Sequence, residues 1–582
     1  MSKLTDRIQN DFSKKVYPDL KDPAVLLKLK EGMEVLRIRY LGMRYSWMLN
    51  GDALMPSFKE HPEAFFTTHR PFDKSIVAYF PKYDPVLMDL ETRLPKIREA
   101  GRKFFETTTW QTRVKLLETI SQVAQERFWL LCAAKGCESG QNRAEQIGET
   151  DEEVDFPLVN AWYLERLNSE EMSLVPSPAF AGNYSGKRFV PHGVFLNICP
   201  FNFPGAIPID MATKALALGN AIIEKSSPKS ALSGYLVWET MKIAFERMGI
   251  DWRGVINYAP GGADVVDAML ASKEVAGVSF TGSTHVLSDI RRNHGTLLRR
   301  GYSGTKAPLV YGSVETSGVN PLVVCEDADP EYAASEYVRA VVGRQGQKCS
   351  SARIAFVHDS HFDKFLGVMK NRLDSLRYGD VTDGADIGAM ASQADVDKLL
   401  KGINYAVGDG MFSSVLYTKS DCRGNGYDFP PTILLAKHDA LVCPNRSHKI
   451  MNTEYFGPVS TIIRYGRLSD VKTLLALSEF ALTGSIFTDG TNVLSELIDI
   501  LPAGNVYVNR KCTGALVETE CFGGLRSRSG LGIKGFMSLA LFGSQQTISG
   551  FYPKPVTAGE QVASILDILD MLKSKGFVLS KS

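Results

Sequence analysis

A hydrophobic run long enough to cross a membrane is missing. A spanning helix needs roughly 18 apolar residues, and the most apolar stretch, Ala215 to Ile223, is broken by Gly219 and Asn220. No sign of charge dominates either: 66 Lys plus Arg face 65 Asp plus Glu, a formal net charge of +1. Nucleic-acid and membrane-surface proteins normally carry a basic excess, so neither partner is expected. Cysteine is sparse and unpatterned. Nine are spread over 582 residues with no Cys-x-x-Cys, which excludes zinc spacing, argues against a disulfide framework and leaves no metal expected. The first fifteen residues have no apolar core and contain Asp6 and Asp11, so no signal peptide is evident and the cytoplasm is the expected compartment.

The rest of the composition is ordinary, with 44% hydrophobic and 23% charged residues, which excludes disorder and fibrous repeats as the main story. The length predicts two or three domains. Residues 1–90 read as an N-terminal extension of helices and irregular wrapping. Helices follow over 90–170, where Arg113, Leu116, Leu117, Ile120 and Val123 keep helical spacing. Beyond Gly193 the pattern alternates. Apolar strands at 194–198, 221–223, 254–257 and 275–280 are separated by helices at 211–218, 232–248 and 263–271. It resumes with a strand at 321–325, a helix at 329–343, a strand at 353–357 and a helix at 361–375. Strands separated by helices predict βαβ units and parallel sheets, an α/β protein. A Gly/Ser-rich stretch near 312–320 separates two halves.

Chemistry-bearing residues stand at Gly-punctuated turns. Gly343-Arg344-Gln345-Gly346-Gln347-Lys348-Cys349-Ser350 sets a cysteine beside a lysine, and a nearby cation raises a thiol's thiolate fraction. A buried structural cysteine is the alternative. Ile198-Cys199-Pro200-Phe201-Asn202-Phe203-Pro204 holds one amide in an aromatic, Pro-bounded turn. Val314-Glu315-Thr316-Ser317-Gly318 and Glu454-Tyr455-Phe456-Gly457-Pro458 each hold one carboxylate. A turn amide, a solvated glutamate and a buried aromatic corner are the plain readings of these three.

Taken in order, Asn202, Lys225, Phe280-Thr281-Gly282-Ser283, Glu315, Cys349 and Glu454-to-Pro458 resemble the aldehyde dehydrogenase superfamily over roughly residues 95–550. The narrower likeness is to its Δ1-pyrroline-5-carboxylate dehydrogenase branch. It rests on Pro200-Phe201-Asn202-Phe203, Gly346-Gln347-Lys348-Cys349-Ser350, the run Gly504 to Asn509, Cys512-Thr513-Gly514-Ala515-Leu516-Val517 and Phe522-Gly523-Gly524.

The resemblance implies Cys349 as nucleophile, Asn202 as oxyanion donor and Glu315 as general base. It implies a nicotinamide dinucleotide held by Lys225 and Ser227 at the adenine ribose, Pro260 and Gly261 on the adenine side, and Phe280, Thr281, Gly282 and Ser283 at the pyrophosphate. Glu454 would bind the nicotinamide ribose and Phe456 would flank the ring. The substrate would meet Ser350, Gly514 and Ala515 through its carboxylate and Phe203 and Phe522 along its chain. Glu152 would take its ammonium, with a solvated acidic helix face as the alternative there.

The implied reaction is NAD-dependent oxidation of L-glutamate γ-semialdehyde to L-glutamate through a cysteine thioester, in proline catabolism. Another carboxylated or aliphatic aldehyde and a non-catalytic scaffold are the competing readings. Ser226-Ser227-Pro228 lacks the acid that many NAD-preferring members carry after the lysine, so NADP is not excluded. Glu518 and Glu520 depart from the branch's pattern and would repel a substrate carboxylate if they faced it.

The implied architecture is an aldehyde dehydrogenase-like fold with a Rossmann-type NAD-binding domain over 91–314 joined by 504–539. An α/β catalytic domain over 315–503 carries Cys349. A β-hairpin oligomerisation flap comes from 172–192 and 540–555. Its unpaired edge implies a homodimer or higher homo-oligomer.

Overall fold

A computed structural model describes residues 18–169, 184–409, 412–517, 520–525, 527–550 and 560–581. Two parallel sheets organise it. The first runs, edge to edge, Val310–Glu315, Val275–Thr281, Val194–Ile198, Ala221–Lys225 and Ile256–Tyr258, then Trp47–Leu49 and Asp52–Leu54. Its first five strands are parallel. Every residue of Val194–Ile198 and Ala221–Lys225 is buried, as expected of strands covered on both faces. Helices Ala206–Ala217, Ala231–Arg247 and Ala263–Ala271 make the crossovers. Successive strands are added outward in both directions from Val194–Ile198. That order leaves a crevice outside the strand ends between Val194–Ile198 and Val275–Thr281, where open α/β sheets bind ligands.

The second sheet runs Ser413–Thr418, Thr432–Ala436, Val459–Tyr465, Ala352–His358, Asn320–Val324, Thr483–Phe487 and Asn505–Val508. Only its first strand is antiparallel. The chain passes from one sheet to the other in the few residues between Glu315 and Asn320.

Two expected boundaries are corrected. Residues 1–90 are not merely a wrapping extension: Trp47–Leu49 pairs with Ile256–Tyr258 and extends the first sheet by an antiparallel hairpin. Trp47 and Leu49 are fully buried, so the hairpin shields an otherwise bare apolar edge. Residues 504–539, expected as one piece of the dinucleotide half, are divided: Leu539 packs in a core of the first half, whereas the start of the segment joins the second sheet. Asn505–Val508 pairs in parallel with Thr483–Phe487 and closes the second sheet, because helix Thr491–Ile498 is long enough to return the chain alongside the strand before it.

A third, three-stranded sheet joins Gly543–Gly550 and Val578–Lys581 antiparallel to Tyr184–Pro191. The strand Val578–Lys581 was not anticipated. Residues 172–183 and 551–555 of the expected flap lie outside the described residues.

Candidate active site

Cys349 lies on the loop leading into strand Ala352–His358. Side chains from that strand and its neighbour clamp the loop. Asn320 Nδ2 donates to the carbonyls of Cys349 (2.7 Å) and Ser351 (2.8 Å). Arg353 donates to those of Gly346 (2.6 Å), Lys348 (3.0 Å) and Gly457 (2.7 Å). Upstream, Arg344, Gln345 and Gly346 take φ of 53°, 52° and 66°, a left-handed run that costs a non-glycine residue of order 1–3 kcal/mol.

Two contacts hold that strained turn. Arg344 Nη2 pairs with the fully buried Glu149 at 2.6 Å, its guanidinium 4.0 Å from the Phe203 ring centre. Gln345 Nε2 donates to Gly140 O at 3.0 Å. Gly346 has no alternative, since a Cβ there would stand 2.0 Å from Gly457 O.

Asn202 follows strand Val194–Ile198 of the other sheet. Its Nδ2 donates to Gln347 O at 2.8 Å, which fixes the amide beside the cysteine loop across the two halves. Glu315 ends strand Val310–Glu315. Gly524 N–H donates to its Oε2 at 3.4 Å, and a Cβ on Gly523 would come 2.5 Å from its Oε1; glycine is what lets that backbone approach. Burial pushes the Glu315 carboxyl up to about 8, against the Gly524 N–H and the Lys214 and Lys534 charges. Burial, then the Glu315 and Glu454 charges, push the Cys349 thiol up to about 12.

One cavity of about 480 Å³ is lined by Cys349, Glu315 and the six expected substrate residues, Ser350, Gly514, Ala515, Phe203, Phe522 and Glu152. Gly514 has φ of 80°, and a Cβ on it would come 3.6 Å from Lys511 Cε. Glu152 is a wall of the cavity rather than part of a solvated face, and burial followed by Glu149 pushes its carboxyl up to about 8. Glu520 is paired, with Arg510 at 2.7 Å and the Tyr507 hydroxyl at 3.1 Å; its charge is thereby offset near the anchor loop. Glu518 lies outside the described residues.

The expected dinucleotide residues divide. Lys225 Nζ is buried, donates to Gly261 O at 3.1 Å and forms no ion pair among the described residues; burial pulls it down to about 8. Ribose hydroxyls would supply the acceptors it lacks. Ser227 Oγ accepts from Lys229 N at 3.3 Å, and Pro260 and Gly261 follow strand Ile256–Tyr258 as buried residues. Thr281 and Gly282 lead into helix Thr284–His294, which Ser283 caps by accepting from Val286 N at 3.3 Å. That N-terminus suits an anion.

Phe280 is different: its ring is 1% exposed and packs in the core of the first sheet, so only its backbone is available at the crevice. Glu454 accepts from Gly318 N at 3.0 Å, and its charge bears on both Cys349 and Arg353. Phe456 meets Phe201 edge-on at 6.0 Å. The crevice, the buried Lys225 ammonium and the Ser283-capped helix N-terminus fit a dinucleotide.

Sequence reading missed several residues. Glu149 and Arg344 hold the turn. Lys348, the cation the sequence set beside the thiol, instead pairs with Glu145 at 2.7 Å, and the thiol is pushed up rather than down. Lys511, Lys214 and Lys534 also line the cavity. Arg344, one residue after the glycine that closes a helix, was the one with a local signal.

Among known proteins, the family described as Aldehyde dehydrogenase family matches residues 58–546. A protein of Schizosaccharomyces pombe named as a probable delta-1-pyrroline-5-carboxylate dehydrogenase is 31% identical over 439 residues, 73% of this chain and 76% of its own. The 1-pyrroline-5-carboxylate dehydrogenase of Bacillus subtilis is 26% identical, over 83% of this chain and 88% of its own. A solved Thermus 1-pyrroline-5-carboxylate dehydrogenase with bound NAD superposes with a TM-score of 0.81 at 25% identity, covering 92% of this chain and 98% of that one.

Proposed function

Because the chain belongs to the aldehyde dehydrogenase family, we propose that it oxidises L-glutamate γ-semialdehyde, the open form of 1-pyrroline-5-carboxylate, to L-glutamate in proline catabolism, with NAD as the hydride acceptor. The names of its relatives and the NAD in the Thermus structure support this reading. The observation that carries it is the single cavity holding a thiol, a carboxylate base, a second carboxylate and a glycine-bearing anchor loop.

The aldehyde carbon is attacked by Cys349 Sγ once the thiol has lost its proton, and a C–S bond forms. Negative charge gathers on the former carbonyl oxygen. Asn202 Nδ2 and the Cys349 N–H are its donors. As the C=O bond reforms, hydride leaves the carbon and a thioester remains on Cys349. Bound NAD supplies the acceptor for that hydride.

Glu315 then takes a proton from water, whose oxygen attacks the thioester carbon. The C–S bond breaks, Cys349 departs as thiolate and the product leaves as a carboxylate. Gly514 and Ala515 N–H groups with the Ser350 hydroxyl receive the substrate's α-carboxylate, and Glu152 receives its ammonium. Lys225, Ser227, Glu454 and the Thr281–Ser283 turn hold the dinucleotide.

The exposed face of strand Gly543–Gly550 supports a homodimer or higher homo-oligomer, and a cytoplasmic enzyme fits a chain in which no described helix is long and apolar enough to cross a membrane. Steady-state rates on glutamate semialdehyde, succinate semialdehyde and unfunctionalised aldehydes, each with NAD and NADP, test the assignment. The highest kcat/KM is expected for glutamate semialdehyde with NAD; a preference for unfunctionalised aldehydes would overturn it.

A further inference from the structure

Four residues that line the catalytic cavity with Glu315, namely Asp210, Lys214, Ser313 and Lys534, have no role in the steps above. Asp210 and Lys214 stand one turn apart on helix Ala206–Ala217, and Lys214 Nζ pairs with Asp210 Oδ2 at 2.6 Å. Asp210 is itself fixed, accepting from Asn160 Nδ2 at 3.1 Å. Lys214 Nζ also reaches Ser313 Oγ at 3.4 Å. Ser313 precedes Glu315 by two residues on strand Val310–Glu315, at a register shift between Tyr311 and Val314, and Lys214, Ser313 and Glu315 all line the one cavity. The ammonium is therefore held in the same cavity as the Glu315 carboxylate.

The two lysines are not equivalent. Lys534 Nζ is occupied by three oxygens, Gly504 O (2.6 Å), Gly523 O (3.0 Å) and Asn505 Oδ1 (3.2 Å), and so clamps the glycine loop behind Glu315. Lys214 has one carboxylate and one long hydroxyl contact.

We propose that Lys214 is a positioning residue for the hydrolytic half-reaction: its ammonium, held by Asp210 and Ser313, is the counter-charge that favours the basic, carboxylate form of Glu315 against its burial. The proposal rests on the reading of Glu315 as general base. A buried carboxyl favours its neutral form, and a nearby cation opposes this. The charged and titratable groups facing Glu315 are Lys214 and Asp210 from the helix, Lys534 from the C-terminal loop and Cys349 from the cysteine loop. Lys214 and Lys534 favour the carboxylate, whereas Asp210 opposes it. Without the Lys214 charge, Glu315 holds its proton to higher pH, so thioester hydrolysis rises later on the pH axis.

The test uses the full-length enzyme with NAD and glutamate semialdehyde. The pH dependence of thioester hydrolysis is followed after the NADH burst. Lys214→Gln keeps a polar side chain without charge, and its rise is expected to move up by roughly one pH unit. The burst itself, which reports acylation and an intact fold, is expected to persist. Lys214→Arg keeps the charge and is expected to keep the wild-type profile. An unmoved rise in Lys214→Gln, or an equal displacement in Lys214→Arg, overturns the proposal. If Lys214→Gln gives no burst, the ammonium is needed before hydrolysis and the proposal is likewise overturned. Glu315→Gln separates the two levels. If it accumulates no thioester, the general-base reading fails; if it accumulates thioester while Lys214→Gln shifts nothing, only the Lys214 assignment fails.

Discussion

At the residue scale the chemistry divides among three side chains whose losses have distinct signatures. Cys349→Ala removes the only atom proposed to form a covalent bond, so NADH production should fall to background while NAD still binds; turnover near the parent rate would refute the nucleophile. Asn202→Ala leaves the thiol and the base in place but removes an oxyanion donor. Its kcat should drop about 10²–10³-fold with little change in substrate KM, measured in the steady state. Glu315 works as a base only when ionised. Its carboxyl is pushed up to about 8, so the base form is scarce at pH 6 and predominates above pH 8. Where hydrolysis limits turnover, the rate should therefore climb through that interval and level off beyond it, which a kcat-pH profile would show. Motif order along the chain was enough to single out these three residues. It was not enough to find Lys214, because a lysine four residues after an aspartate on a helix is an ordinary surface pair until tertiary packing turns it toward a catalytic face.

At the element scale the decisive piece is the turn from Arg344 to Gly346. Its left-handed backbone is held by Arg344 pairing with Glu149, a residue of helix Arg143–Leu167. Arg344→Met removes the cation paired with the buried Glu149 and leaves its carboxylate the Gln141 Nε2 and Gly205 N–H donors, which should destabilise the fold by up to about 3–5 kcal/mol in a denaturant titration. The remaining folded fraction should also turn over more slowly, because Cys349 lies five residues beyond Arg344. Most elements followed from periodicity. Ala263–Ala271 was expected at those residues, and the helices at Ala231–Arg247 and Phe362–Ser375 within a residue of their ends. Asn505–Val508 was expected in the wrong half because four apolar-polar residues carry no address. Which sheet edge they join depends on the helix before them and on which edge is open.

At the scale of the whole molecule, the catalytic group assembles only where the two sheets meet. Asn202 comes from the first and Cys349 from the second, and Asn202 Nδ2 bonded to Gln347 O spans the seam. The three-stranded sheet of Tyr184–Pro191, Gly543–Gly550 and Val578–Lys581 stands apart from both. Sedimentation of the full chain should give a dimer or larger species; a monomeric full-length chain would refute the oligomer. Sequence alone determined the alternating α/β order and the family resemblance, and it singled out Cys349, Glu315 and Asn202 as the proposed nucleophile, base and oxyanion donor, because periodicity and ordered motifs are properties of the chain itself. Only tertiary structure decided that Phe280 is core, that Glu152 faces the cavity, that Arg510 offsets Glu520 and that Lys214 sits beside Glu315. Each of these depends on which groups packing brings within a few ångströms, and on how much water that packing removes.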